Sequence, residues 1–244
     1  MVKYMGREDD LVLINFMTGA RDIIGPQKKR LSNTLNPFAM GSSSMLAQLI
    51  VSLMPGSSGS SDGDMWKGRA IGFVEAIMKV LVAMRDSGHI LLDANTIRNY
   101  FLLPKLESIV IDKLFLREGQ ESINLEGLPQ SLLEPIKNYV FNLPGYNPEK
   151  KGKQVSQVLE QHGFITMQLT RIFTSLADTY SHILRTNLAE VDLADVVLNR
   201  RVLCVLLPAL EKSPDELANL GKIIIATLKA MMAGGLGDSV EGEL

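Results

Sequence analysis

Two short, unbroken apolar runs lie far apart in this chain, and they limit its fold more than any other feature. Leu11 to Phe16 (LVLINF) follows a charged cluster and precedes the turn-prone Thr18 and Gly19. Arg201 to Leu207 (RVLCVLL) is bounded by Asn199 and Pro208. Short Val-, Ile- and Leu-rich runs flanked by turn residues read as buried strands. Strands without polar alternation are covered on both faces, as in parallel α/β sheets. Two such strands cannot make that sheet alone.

The region between them has helical spacing. Ser43 to Met54 places Met45, Leu46, Leu49, Ile50 and Leu53 three and four apart and stops at Pro55-Gly56. Gly56 to Gly63 (GSSGSSDG) reads as a polar flexible loop. Met65 to Met84 then carries Trp66, Ala70, Phe73, Val74, Ile77, Val80, Leu81 and Met84, with Asp64 placed to cap it. Shorter helices are expected over Asp93 to Phe101, capped by Asp93, over Pro104 to Leu114, and around Leu132 to Phe141 among Pro129, Pro135 and Pro144. Pro148 to Asp178 is the longest periodic stretch. Gly163 inside it costs about 1 kcal/mol relative to Ala, which points to a kink or a close helix approach. Pro214 to Met232 forms the last helix, with a Ser213–Glu216 capping box at its start and Gly234-Gly235 at its end. The tail from Gly237 is expected to fray.

Composition narrows the class. Apolar residues make up 46% of the 244, enough for a sizeable core, and aromatics only 6% against 12 Met, a mixture suited to helix packing. The formal charge of −2 supplies no long-range field for polyanions, which argues against a strongly basic, autonomous nucleic-acid binder, and any DNA contact would have to be local or shared with other parts. Cys204 stands alone, which excludes an internal disulfide and a multi-cysteine metal site. The first residues lack the order of a signal peptide, and no stretch of about 18 apolar residues occurs. The chain as given reads as soluble.

Catalytic chemistry is sparse. A phosphate loop needs Gly-x-x-x-x-Gly-Lys-Ser/Thr, and Gly63 to Arg69 (GDMWKGR) carries Lys and Gly in the reverse order. Gly59 to Gly63 (GSSDG) matches Gly-x-Ser-x-Gly, with Ser61 as nucleophile and His162 or His182 as base. That motif works only on a strand-to-helix turn, and a flexible loop is the preferred reading. His89, His162 and His182 have no metal-ligand spacing. His162 reads as a surface or hydrogen-bonded histidine, and Cys204 and Trp66 as core. Basic clusters occur at Lys28, Lys29 and Arg30, and at Lys150, Lys151 and Lys153. No catalytic, cofactor-binding or metal residue is assigned. The three lysines at 150, 151 and 153 are the candidate interaction surface.

The run Leu35-Asn36-Pro37-Phe38 and the helix opening Asp64-Met65-Trp66-Lys67-Gly68-Arg69-Ala70 resemble the type IV secretion coupling ATPases. In that family an Asn-Pro step and a Trp-x-x-x-Ala helix mark entry into an all-α domain. The return segment Asn199 to Pro208, with Glu211-Lys212-Ser213-Pro214 and Leu220-Gly221-Lys222, resembles re-entry into the nucleotide-binding domain. Similarity to the DotL/IcmO branch of these TraD/TraG-like proteins covers nearly the whole chain. It includes MGREDD near the start, Lys151 to Arg171, and Arg185-Thr186-Asn187-Leu188.

The resemblance implies a mainly α chain: a multi-helix all-α domain (36–198) inserted into a RecA-like α/β nucleotide-binding domain. Only flanking pieces of the latter (1–35 and 199–244) are present. Leu11 to Phe16 and Val202 to Leu207 would be neighbours in the motor sheet. The parent would be a membrane-anchored, hexameric motor on the cytoplasmic side of the bacterial inner membrane. It would use ATP and Mg to deliver secreted effector proteins, or relaxase with DNA, together with other coupling-complex subunits. The phosphate loop is expected before Met1 and the acidic magnesium strand after Leu244, so the chain itself is expected to hold no cofactor and to lack enzymatic activity. Alternatives are a DNA-binding helical domain and a serine hydrolase using Ser61. The chain itself is expected to be a monomer or to self-associate weakly through its exposed strands.

Overall fold

A computed structural model describes residues 3–17, 32–56, 61–184 and 189–241. In chain order the elements are β1 (Leu11–Asn15), α1 (Ser43–Ser52), α2 (Ser61–Asp86), α3 (Ala94–Asn99), α4 (Leu103–Glu107), β2 (Leu114–Phe115) and β3 (Ile123–Asn124). There follow α5 (Gln130–Phe141), α6 (Ser156–Thr174), α7 (Ser181–Leu184), α8 (Leu193–Leu198), β4 (Val202–Leu206) and α9 (Pro214–Glu241). About 60% of the structure is helical, so the chain is mainly α. It divides into two compact units, Met1–Gly41 with Ser175–Leu244, and Ser42–Thr174.

In the first unit, β1 and β4 pair in parallel across nearly 190 residues, from Leu11 opposite Val202 to Asn15 opposite Leu206. The other edge of β1 is closed by Ser32 and Asn33. The Asn33 amide donates to the Leu13 carbonyl at 2.7 Å, and the Leu13 and Asn15 amides donate to Asn33 Oδ1 and Ser32 Oγ. Among the described residues nothing pairs with the outer edge of β4. Its side chains are also partly exposed, Cys204 included, rather than covered on both faces. The expected core position of Cys204 is corrected to that extent. Leu206 and Leu207 are more than a third exposed, and Leu210 is fully exposed.

Charged groups clamp one end of this strand pair. Arg201 bonds Asp195 through Nε, lies 3.9 Å from Asp10, and donates to the Asp9 carbonyl at 3.3 Å. Arg7 bonds Asp10 at 2.8 Å and donates to the carbonyl of Arg200, a residue held at φ 51°. Hydrogen bonds from Arg201 and Asn199 hold the Asp195 carboxyl below the usual range. Asn36 is buried, and its Oδ1 accepts from the Phe38 amide at 3.0 Å, closing a turn over Pro37. Phe16 and Tyr180, both fully buried, meet edge to face at 5.4 Å. The Tyr180 hydroxyl donates to Glu216 at 2.8 Å at the first turn of α9.

The second unit is built on α2, which packs against α1, α5 and α6. Phe73, Val74, Ile77, Val80, Leu81 and Met84 are buried at three- and four-residue spacing, and Phe101, Tyr139 and His162 surround the Phe73 ring at 4.6 to 5.6 Å. Burying one such apolar side chain is worth about 1.5–3 kcal/mol, so this stripe is a substantial part of the unit's stabilisation.

Several boundaries differ from the sequence expectation. The helix expected from Met65 starts at Ser61, so Asp64 lies in its first turn and does not cap it. Asp93 does cap α3, accepting from the Thr96 amide at 2.7 Å. The stretch from Pro104 winds as α4 and then as a π turn over Ser108–Asp112, ending on Lys113 at φ 55°, with β2 following. α5 passes through Pro135. The missing N–H orphans the Ser131 carbonyl, and Ser131 is exposed so water can serve it. The stretch from Pro148 to Asp178 is not one element. A 3₁₀ turn, Pro148–Lys150, precedes α6, and a π turn, Ser175–Thr179, follows it. A Cβ at Gly163 would meet nothing within 4 Å, so no helix approaches closely there. α9 runs through Gly234-Gly235 and the expected frayed tail to Glu241.

Candidate functional site

The candidate surface is the 145–154 connection before α6, and a buried carboxylate organises it. Glu107, at the end of α4, is only 1% exposed. It accepts from the Tyr146 hydroxyl at 3.1 Å, the Gln154 side-chain amide at 2.9 Å and the Gly152 backbone amide at 3.0 Å. Gln154 also donates to the carbonyls of Asn147 (2.8 Å) and Lys150 (3.1 Å), and its oxygen accepts from the Asn147 amide at 3.1 Å. Asn147 caps the 3₁₀ turn through its side chain. Burial, followed by the Glu107 charge, pushes the Tyr146 hydroxyl well above its ordinary range, so it stays a donor. A loop rich in charge and glycine is thereby tied to the helical core at three points.

The three predicted lysines all lie on this loop and are exposed. Lys151 forms a salt bridge with Asp112 in the π turn after α4. Lys150 and Lys153 have no salt bridge among the described residues. Gly145 and Gly152 take φ of +84° and +70°, backbone conformations that glycine reaches without strain. Beside the loop, Tyr146 stacks on Phe141 with ring centres 5.7 Å apart, and Lys137 lies over the Phe141 ring at 5.8 Å. Phe141 (38%) and Val155 (45%) are exposed. The surface therefore combines cationic heads with apolar contact area. Sequence reasoning found the lysines and missed Glu107, although Leu103, Leu106 and Val110 place that carboxylate on the apolar side of its helix.

The other sequence candidates separate. Lys28, Lys29 and Arg30, and Arg185-Thr186-Asn187-Leu188, lie outside the described residues. So do Gly59 and Ser60. Ser61 begins α2, and the element before this segment is the helix α1, not the strand a nucleophile elbow requires. His162 is buried and occupied on both ring nitrogens, with Phe101 carbonyl oxygen at 2.6 Å from Nε2 and the Tyr139 hydroxyl at 2.7 Å from Nδ1. The carbonyl can only accept, so Nε2 carries a proton, and in the neutral ring, which burial favours, Tyr139 donates to Nδ1. Of the two readings for His162, hydrogen-bonded is the correct one. Trp66 is half-buried, 5.4 Å from Phe164 with Arg69 over its ring, so it is a contact at the margin of the core. No cluster of three metal-ligating side chains occurs among the described residues, and no described helix is long and apolar enough to cross a membrane.

In the first unit a cavity of about 360 Å³ is lined mainly by apolar groups, among them Leu35, Met40, Val191 and Met231, with Asn36 and Asp192 at its wall. It holds no acid–base pair that would suggest catalysis.

No family model matches the chain. Over 243 of its 244 residues it is 76% identical to a protein of Legionella pneumophila named Type 4 coupling protein DotL. It spans 31% of that protein's length. Identity at this level over the whole chain leaves one conclusion: the chain belongs to the type 4 coupling proteins, in the branch represented by DotL.

Proposed function

We propose that the helical unit receives substrate for a type IV secretion motor. The observation that carries this reading is a compact helical body, Ser42–Thr174, inserted between two strands that pair with each other in parallel. Such an insertion leaves the sheet's continuity intact while presenting a separate surface for transient protein contact. Polar and cationic groups on a pinned loop suit that use better than catalysis.

The rest of the protein would supply an ATP- and Mg-dependent motor, hexameric and anchored at the inner membrane. Its cargo would be secreted proteins or a relaxase with its DNA. On this reading the 244-residue chain hydrolyses no ATP by itself, and turnover of ATP with Mg²⁺ above a buffer control would overturn that part. For the receiving role, a photo-crosslinking side chain is placed at exposed positions of Ser42–Thr174 in the full-length protein during secretion. Crosslinks to a secreted substrate support the reading. Substrate crosslinks confined to other regions overturn it.

A further inference from the structure

We propose that the cavity in the first unit, between α9 and the two chain crossings that lead out to the helical body and back, binds a small aryl- or alkylammonium compound, apolar tail inward and cationic head at Asp192. The inference is independent of the substrate-receiving reading, because every lining residue belongs to Met1–Gly41 or Ser175–Leu244.

Three stretches build the cavity. The outgoing chain supplies Leu35 and Met40, the returning chain Val191 and Asp192, and α9 supplies Ala230 and Met231. The two crossings are bonded to each other: the Val191 amide donates to the Thr34 carbonyl at 3.1 Å, and the Thr34 amide donates to Glu190 Oε2 at 3.3 Å. The turn closed by the Phe38 amide on Asn36 Oδ1 fixes the outgoing wall. The backbone around the cavity is thus already set, and an occupant orders little of it on entry, which lowers the cost of binding.

The lining is graded. Leu35, Val191, Ala230 and Met231 are 8% exposed or less and form an apolar floor, whereas Met40 and Asp192 are exposed and mark the mouth. The volume of about 360 Å³ falls within the range of small-molecule sites, about 300–1,000 Å³. Asp192 is the single charged group among the described lining residues, so the field at the mouth favours a cation. Glu190, also exposed, adds to that field. An anion would meet the carboxylate, and a small hydrated cation would leave the floor uncovered. A molecule with both an apolar tail and a cationic head uses both halves, because covering the floor removes apolar surface from water. The unbranched thioethers of Met40 and Met231 adjust to the shape of the tail.

The probe is 4-phenylbutylammonium, added to the 244-residue chain labelled with carbon-13 in its methionine methyl groups. Saturable shifts are expected at Met40 and Met231, with a dissociation constant of about 1 mM, and not at Met78 and Met84, which are buried in the second unit. Ala230→Phe and Ala39→Phe should each weaken binding about tenfold by occupying the space. Ala39 is exposed, so if Ala230→Phe fails to fold the Ala39 variant decides. Asp192→Asn keeps a side chain suited to the start of α8; it should weaken the ammonium about two- to fivefold and leave the neutral 4-phenylbutanol unchanged. The anionic 4-phenylbutyrate should bind more weakly than either. Absence of saturable shifts at Met40 and Met231, equal binding of 4-phenylbutyrate, or indifference to both phenylalanine variants each overturns the proposal. In the full-length protein, a diazirine-bearing analogue of the probe should label peptides containing Met40 or Met231. Labelling confined to other peptides means that another part of the protein fills the cavity, and overturns the site.

Discussion

The hydroxyl of Tyr139 is hydrogen-bonded to Nδ1 of His162 at 2.7 Å, while Nε2 of the same ring donates to the carbonyl of Phe101 at 2.6 Å. One imidazole therefore joins α5, α6 and the end of α3 inside the aromatic cluster around Phe73, where burial favours its neutral form.

Acid should loosen this junction. Burial lowers the His162 pKa from the ordinary 6.5, the Phe101 carbonyl opposing it in part. The unfolded chain then binds a proton more readily than the folded one, so the contribution of His162 is complete above about pH 6.5 and declines as pH falls toward the lowered folded value. The slope is at most about 1.4 kcal/mol per pH unit. His182 is shifted in the same direction by burial, so both contribute to the wild-type profile. Urea midpoints measured from pH 7.5 to 5 should fall for the wild type and fall less for His162→Gln.

Removing the Glu107 carboxylate should destabilise the loop before it destabilises the core. Glu107→Ala leaves the Tyr146 hydroxyl, the Gln154 amide and the Gly152 amide without their acceptor, a loss of about 2–3 kcal/mol once partial solvation is allowed for. Glu107→Gln should cost less, because it retains one acceptor oxygen. Hydrogen exchange should accelerate over 145–154 in both variants. Unchanged exchange there would contradict the pinning.

Arg201→Ala should weaken the strand pair in a salt-dependent way. The guanidinium joins Asp195, Asp10 and the Asp9 carbonyl at the entrance of β4. These groups are solvent-exposed, so the loss is small and shrinks at high salt. A melting difference between wild type and variant that is as large in molar salt as in dilute buffer would argue against an ionic clamp.

The open side of β4 should make the isolated chain self-associate. Unpaired strand edges with exposed apolar residues are templates for pairing, and Leu206, Leu207 and Leu210 add contact area. Sedimentation at rising concentration should show reversible association. Leu206→Lys with Leu210→Lys should reduce it.

Both long-range strands were legible as apolar runs, and so was the Asp93 cap, because each depends on residues adjacent in sequence. The β2–β3 pair escaped notice: two residues per strand carry no period-2 signal. The continuation of α9 through Gly234-Gly235 escaped for another reason. Two glycines cost a helix only about 2 kcal/mol, which the surrounding turns can offset. Asp64 looked like a cap because the preceding Gly- and Ser-rich segment suggested a loop, yet the helix already runs from Ser61.

The sequence by itself determined which residues are apolar, where helices and strands can form, and which chemistries are missing, since these follow from spacing and residue type. Only the tertiary structure decided that Leu11–Asn15 lies against Val202–Leu206, that His162 is buried between Tyr139 and the Phe101 carbonyl, and that Glu107 sets the lysine loop. Each of these is a contact between residues tens to nearly two hundred positions apart. Local pattern carries no record of which distant groups will share one desolvated space.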